Sequence, residues 1–73
     1  MSYDRKARVA ERATTLVEDV VTVIEASGQM TGRELAIELG ESISVALAAA
    51  RLADELEVVN QHEHSMAMVR LAQ

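Results

Sequence analysis

The 73-residue sequence contains no cysteine, no proline, three glycines and one aromatic residue, Tyr3. The absence of cysteine excludes a disulfide scaffold, a thiolate zinc site and a cysteine nucleophile. The scarcity of aromatics means that any core is built from Val, Leu, Ile, Met and Ala. No run approaches the roughly 18 apolar residues of a membrane span, and the charged start does not resemble a signal core. We therefore expect one small cytoplasmic domain over residues 1–73, without a cofactor, that is not an enzyme.

Charge is divided unevenly along the chain. Seven basic and twelve acidic residues give a net charge of −5. Residues 1–12 carry four cations and two acids, a net +2, whereas residues 13–73 carry three cations and ten acids, a net −7. An acidic surface repels phosphate unless its few cations lie together on one face.

The first third of the chain has the apolar spacing of an amphipathic helix. This pattern predicts a helix over about residues 4–26, ended by Gly28 in a left-handed conformation. The positions expected to face the core are Val9, Ala13, Leu16, Val20 and Ile24, with Val17 and Val21 beside them.

Two further helices follow, each with a recognisable start. Thr31 and Glu34 have the spacing of a capping box and predict a helix over about residues 32–39, ended by Gly40. Ser42 can cap a third helix over about residues 43–56. This helix is apolar on two sides: one stripe contains Val45, Ala49, Leu52 and Leu56, and the opposite face carries Ile43, Leu47 and Ala50.

The remaining chain has the alternation of a β-hairpin over about residues 58–71. Val58 and Val59 begin one strand, Val69 and Leu71 alternate along the other, and a polar loop connects them. A short extended piece at Gln29 and Met30 can add a third strand. Met66 and Met68 share one face of the hairpin, where a core position is favoured over an adaptable interface.

The run Met30-Thr31-Gly32-Arg33-Glu34-Leu35-Ala36-Ile37-Glu38-Leu39-Gly40-Glu41-Ser42 resembles the first helix and turn of the winged helix-turn-helix family. Ala36 is small enough for a close helix crossing, and Gly40 permits the sharp turn. The resemblance covers about residues 16–72. It implies an α+β fold, with three helices and a C-terminal hairpin wing.

The resemblance also implies a small DNA-binding transcriptional regulator. In that family the third helix enters the major groove and the wing contacts the DNA backbone. The positions that match are Arg33, Ser42, Ser44, Arg51, Asn60, Gln61 and His62. The sequence departs from the family pattern because Arg51 is the one base-reading cation on the third helix, and because Glu41 lies in the turn.

An alternative hypothesis is an acidic winged-helix module that binds a protein and has lost DNA binding. Such a module would use the apolar face formed by Ile43, Leu47 and Ala50, unless that face is buried within the domain. The small core also favours a homodimer, since association buries a further face. His62 and His64 alone provide too few ligands for a metal site.

Overall fold

Three helices and three strands are found in the part of the chain that the structure describes, in the order that the sequence predicts. The computed structural model describes residues 2–60, 62 and 66–72, and for residues 2–6 the helical backbone alone. The elements are α1 (Ser2–Ser27), β1 (Gln29–Thr31), α2 (Gly32–Leu39), α3 (Ile43–Leu52), β2 (Leu56–Val59) and β3 (Met68–Leu71). The strands form one antiparallel sheet in the order β1-β3-β2. The predicted α+β class is confirmed, and the arrangement is consistent with a small winged-helix-like layout.

The predicted apolar stripe of α1 faces the core. Its fully or nearly fully buried positions are Ala13, Leu16, Val20 and Ile24, and Val9, Val17 and Val21 are partly buried beside them. Gly28 ends the helix with a φ of 92° and donates its N–H to the Ile24 carbonyl at 2.7 Å. Few L-residues adopt this backbone angle, so the glycine fixes the direction in which the chain enters β1.

The junction of β1, α2 and α3 is defined by local hydrogen bonds. Thr31 ends β1 and also caps α2, forming the predicted capping box with Glu34. Gly40 takes the left-handed conformation with a φ of 68°, and the Glu41 N–H bonds to the Ala36 carbonyl at 2.9 Å. Ser42 then caps α3 by accepting a bond from the Val45 N–H at 3.2 Å. These contacts explain why a two-turn helix can be followed by so short a turn.

The third helix is shorter than the sequence predicts. It ends at Leu52 instead of continuing to residue 56, because Ala53 adopts an extended conformation and Leu56 opens β2. Leu56 is 7% exposed and lies opposite Leu71 in the sheet, whereas Leu52 is 54% exposed. The expected burial of Leu52 is therefore wrong. Pairing with β3 buries Leu56 on the sheet, which a continued helix would not allow.

The strand β3 lies between β1 and β2, and its Val69 lies at the centre of the side of the sheet that faces the core. Met30 and Val58 lie on either side of Val69, which is fully buried, and the Gly32 N–H extends the β1 ladder to Ala67. The third strand suggested at residues 29 and 30 is confirmed, and the hairpin begins two residues earlier than predicted.

The two methionines of the hairpin are not equally buried. Met66 is 60% exposed, so its expected core position is wrong, while Met68 is half-buried. Ala67 and Val69, on the opposite alternation, have no exposed surface.

The helix α3 is buried on two sides, between α1, α2 and the sheet. Leu47 and Ala50 have no exposed surface, and Ile43 is half-buried against the core. The hypothesis of an apolar docking surface is therefore wrong at Leu47 and Ala50, which belong to the domain's own interior. A small domain with a single aromatic residue fills its core by burying Ala and Leu on both sides of one central helix.

Candidate nucleic-acid interface

The solvent-facing side of α3 carries small side chains and one arginine, and it ends at the exposed Leu52. Ser44 and Arg51 are exposed and Ala48 is half-buried, at spacings of four and three residues. These spacings place all three on one side of the helix. The first turn of α3 contains no acidic residue, and Arg51 lies in its last turn. A narrow face of this kind lets a helix backbone approach closely, as entry into a major groove requires.

The acid in the turn before α3 is paired with a cation from α1. Both Nε and Nη2 of Arg12 contact Oε2 of Glu41, at 2.7 Å and 2.6 Å. The Glu41 side chain is 18% exposed, and that of Arg12 is 55% exposed. The carboxylate that the sequence placed at the expected phosphate surface is therefore mostly covered and locally neutralised.

A second acid near this surface, Glu34, accepts hydrogen bonds from within the protein. Glu34 accepts hydrogen bonds from the Thr31 N–H at 2.9 Å and the Thr31 hydroxyl at 3.1 Å. These bonds, the backbone bond first, lower the pKa of Glu34 below its ordinary value. Its charge is thereby directed towards the start of α2 and stabilises that helix terminus.

Arg33 lies at the exposed start of α2, as its proposed phosphate contact requires. The same helix also presents Glu38 and Ile37 to solvent, the latter 72% exposed. Just after α3, Asp54 and Glu55 are exposed. Exposed acids thus accompany the cations of α2 and α3, and no continuous basic patch forms among the described residues.

The wing is described in part. Asn60 leaves β2 with a φ of 56°, a conformation that asparagine tolerates better than most residues, and it is exposed. His62 is exposed as well, whereas Gln61 and His64 lie outside the described residues. Ser42 is exposed, but its hydroxyl caps α3, so its observed role is to stabilise the start of that helix.

Sequence reasoning missed two features of this surface. The pairing of Arg12 with Glu41 joins residues 29 positions apart, and no local pattern indicates it. The exposure of Ile37 had a signal, because it lies on the side of α2 away from Leu35, Ala36 and Leu39. Its position predicts a solvent-facing side chain once the helix is projected.

Two other kinds of site receive no support from the geometry. In the part of the chain that the structure describes, no three potential metal ligands lie together. Within the same residues, no helix combines the length and apolarity that crossing a membrane requires.

Comparisons with protein-family models, with curated proteins and with solved structures find no match to this chain.

Proposed function

We propose that the protein is a small winged-helix DNA-binding regulator of transcription. The observation that carries the proposal is the stripe of Ser44, Ala48 and Arg51 along the outer side of α3, a helix whose other sides pack inside the fold up to the exposed Leu52 at its end. A rigid helix that presents small side chains and one arginine has the shape and chemistry for base-edge contacts. The protein has no catalytic role in this proposal.

The remaining contacts in the proposal are those that the resemblance to the winged-helix family implies. Arg51 and Ser44 would lie at base edges, and Arg33 at a phosphate near the start of α2. Ser42 would lie at the groove entrance, and Asn60, Gln61 and His62 would follow the backbone from the wing. The ion pair of Arg12 with Glu41 supports this orientation, because it removes the acid that would otherwise oppose phosphate.

The net charge of −5 repels the DNA polyanion at long range. Two cations near α3, Arg33 and Arg51, must act locally against the acidic average of the molecule. We therefore expect weak non-specific binding that falls with rising salt, and higher affinity only for duplexes with a suitable base opposite Arg51.

Fluorescence anisotropy of the wild-type chain with labelled duplexes at low salt tests the proposal. Arg51→Ala should weaken binding by about 1–3 kcal/mol without lowering stability. Arg70→Ala is the matched control, since it removes the same charge from a sheet residue that pairs with Glu57 at 2.7 Å. Equal losses for both variants, or no binding by the wild type, would contradict the assignment of α3.

A second candidate is an acidic protein-interaction module, favoured by the exposure of Ile37 and Leu52. Ile37 is 72% exposed on α2, and Glu34 and Glu38 are exposed on the same helix. A basic, partly apolar partner would suit that surface. If Ile37→Ser abolished a protein complex while DNA binding stayed absent, this candidate would replace the first. The homodimer expected from the small core stays a prediction, which sedimentation of the wild-type chain tests.

A further inference from the structure

The basic end of α1 lies beside the start of α3. The ion pair between Arg12 and Glu41 holds α1 against the residue directly before Ser42, the N-cap of α3. The helix α1 begins ten residues before Arg12, at Ser2. At 1.5 Å per residue, this stretch extends about 15 Å beyond the ion pair. It belongs to residues 1–12, the part of the chain with net charge +2.

Two guanidinium groups of this stretch are accessible. Arg8 is exposed and lies one turn before Arg12. Both line a shallow depression on α1 together with Glu11 and Thr15. Arg12 uses two of its five N–H donors on Glu41, and its side chain is 55% exposed. The ion pair therefore fixes the position of this helix surface relative to α3.

We infer that the N-terminal end of α1 is a second contact with the backbone of the same duplex. The inference rests on the proposed function, which it extends from the groove occupied by α3 to the flanking phosphates. Arg8 binds a phosphodiester oxygen. Arg12 is a positioning residue: it neutralises Glu41 and holds the basic end of α1 next to the groove.

The charge distribution explains why such a contact is needed. Beyond residue 12 the chain has a net charge of −7, so the region around α3 attracts a polyanion weakly. The cations of residues 1–12 are separated in sequence from that acidic part, but α1 packs against α3 through the core, and the ion pair joins it to the residue before the start of α3. Contacts to phosphate carry no sequence information and mainly fix orientation.

The contact at Arg8 is tested by the salt dependence of affinity for a duplex long enough to flank the α3 site. Arg8→Ala should weaken binding to every duplex sequence by a similar factor and lower the salt slope by about 1. Arg70→Ala, the equal charge change on the sheet, should leave the slope closer to that of wild type. If Arg51→Ala weakened binding while Arg8→Ala matched the Arg70 control, the inference would be wrong and the proposed function would stand. An absence of binding by the wild type would instead overturn both.

The positioning role of Arg12 is tested with a double-mutant cycle. Arg12→Ala should weaken DNA binding in the wild-type background, because Glu41 is then unpaired near phosphate. In the Glu41→Gln background the same change should have little effect on affinity. A loss of equal size in both backgrounds would show Arg12 acting independently of Glu41 and would overturn the positioning role. Circular dichroism of all variants checks that affinity changes do not reflect unfolding.

Discussion

The burial of Leu47 distinguishes two interpretations of the third helix, α3. Its place opposite the main apolar stripe of α3 allowed either a buried residue or a docking contact. The structure gives it no exposed surface, in common with Ala46, Ala49 and Ala50 of the same helix. Packing on both sides of α3 therefore determines the role of this residue, which helical periodicity alone does not specify.

Truncating Leu47 should destabilise the protein strongly. Leu47→Ala removes a fully buried side chain and leaves a cavity, at a cost of about 2–5 kcal/mol in the free energy of unfolding. Ile37→Ala is the control, because Ile37 is 72% exposed and its truncation should change stability by about 0.5 kcal/mol or less. Urea denaturation measures both, and similar losses for the two variants would contradict the placement of α3.

The capping box gives a second prediction for single residues. Thr31→Ala removes the side chain that accepts the Glu34 N–H, and should cost about 1 kcal/mol. Thr31→Ser keeps the hydroxyl oxygen and should retain most of that stability. A Thr31→Ala variant as stable as wild type in urea would show that the cap does not contribute.

The ionisation of Glu34 predicts a dependence of stability on pH. Its pKa is lower in the folded protein because of the bonds from Thr31. Its contribution is therefore fully present above the unfolded-state pKa and is lost as pH falls through the lowered folded-state pKa. The stability difference between wild type and Glu34→Gln should shrink on acidification, as urea titrations across the acid range can measure. A difference that grew as the pH fell would contradict the direction of this shift.

At the scale of elements, the sequence predicts those helix bounds and buried faces that short-range patterns determine. The capping box and Gly40 define α2 at residues 32–39, and the apolar stripe identifies α1, because these signals are local. The predicted end of α3 at about residue 56 is wrong, since the true end depends on Leu56 pairing with Leu71 across the sheet. The partner of Glu41 was missed for the same reason, because α1 and the turn meet only in the folded chain.

The turn between α2 and α3 depends on a glycine. Gly40 has a φ of 68°, and an added Cβ would meet no atom within 4 Å. Gly40→Ala should therefore cost about 1–2 kcal/mol from backbone conformation and not from a clash. Gly40→Asn should cost less, since asparagine visits this conformation more readily. Thermal unfolding compares the two variants, and an alanine variant as stable as the asparagine variant would argue against the left-handed turn.

At the scale of the whole molecule, the arrangement of charge matters more than its sum. The Arg12–Glu41 pair covers an acid at the turn, and Arg70–Glu57 pairs charges across the sheet. The α3 stripe is left without a carboxylate of its own. The overall composition therefore says little about local surfaces, and our proposal is that this acidic protein binds DNA through the surface around α3.

The most direct measurement is an NMR titration of the isotopically labelled protein with mixed-sequence duplex DNA at low salt. We predict shifts concentrated on residues 42–51 and on Asn60 and His62, diminishing as salt is added. A titration without shifts, or with shifts confined to the sheet, would contradict the assignment of α3 as the DNA-binding element.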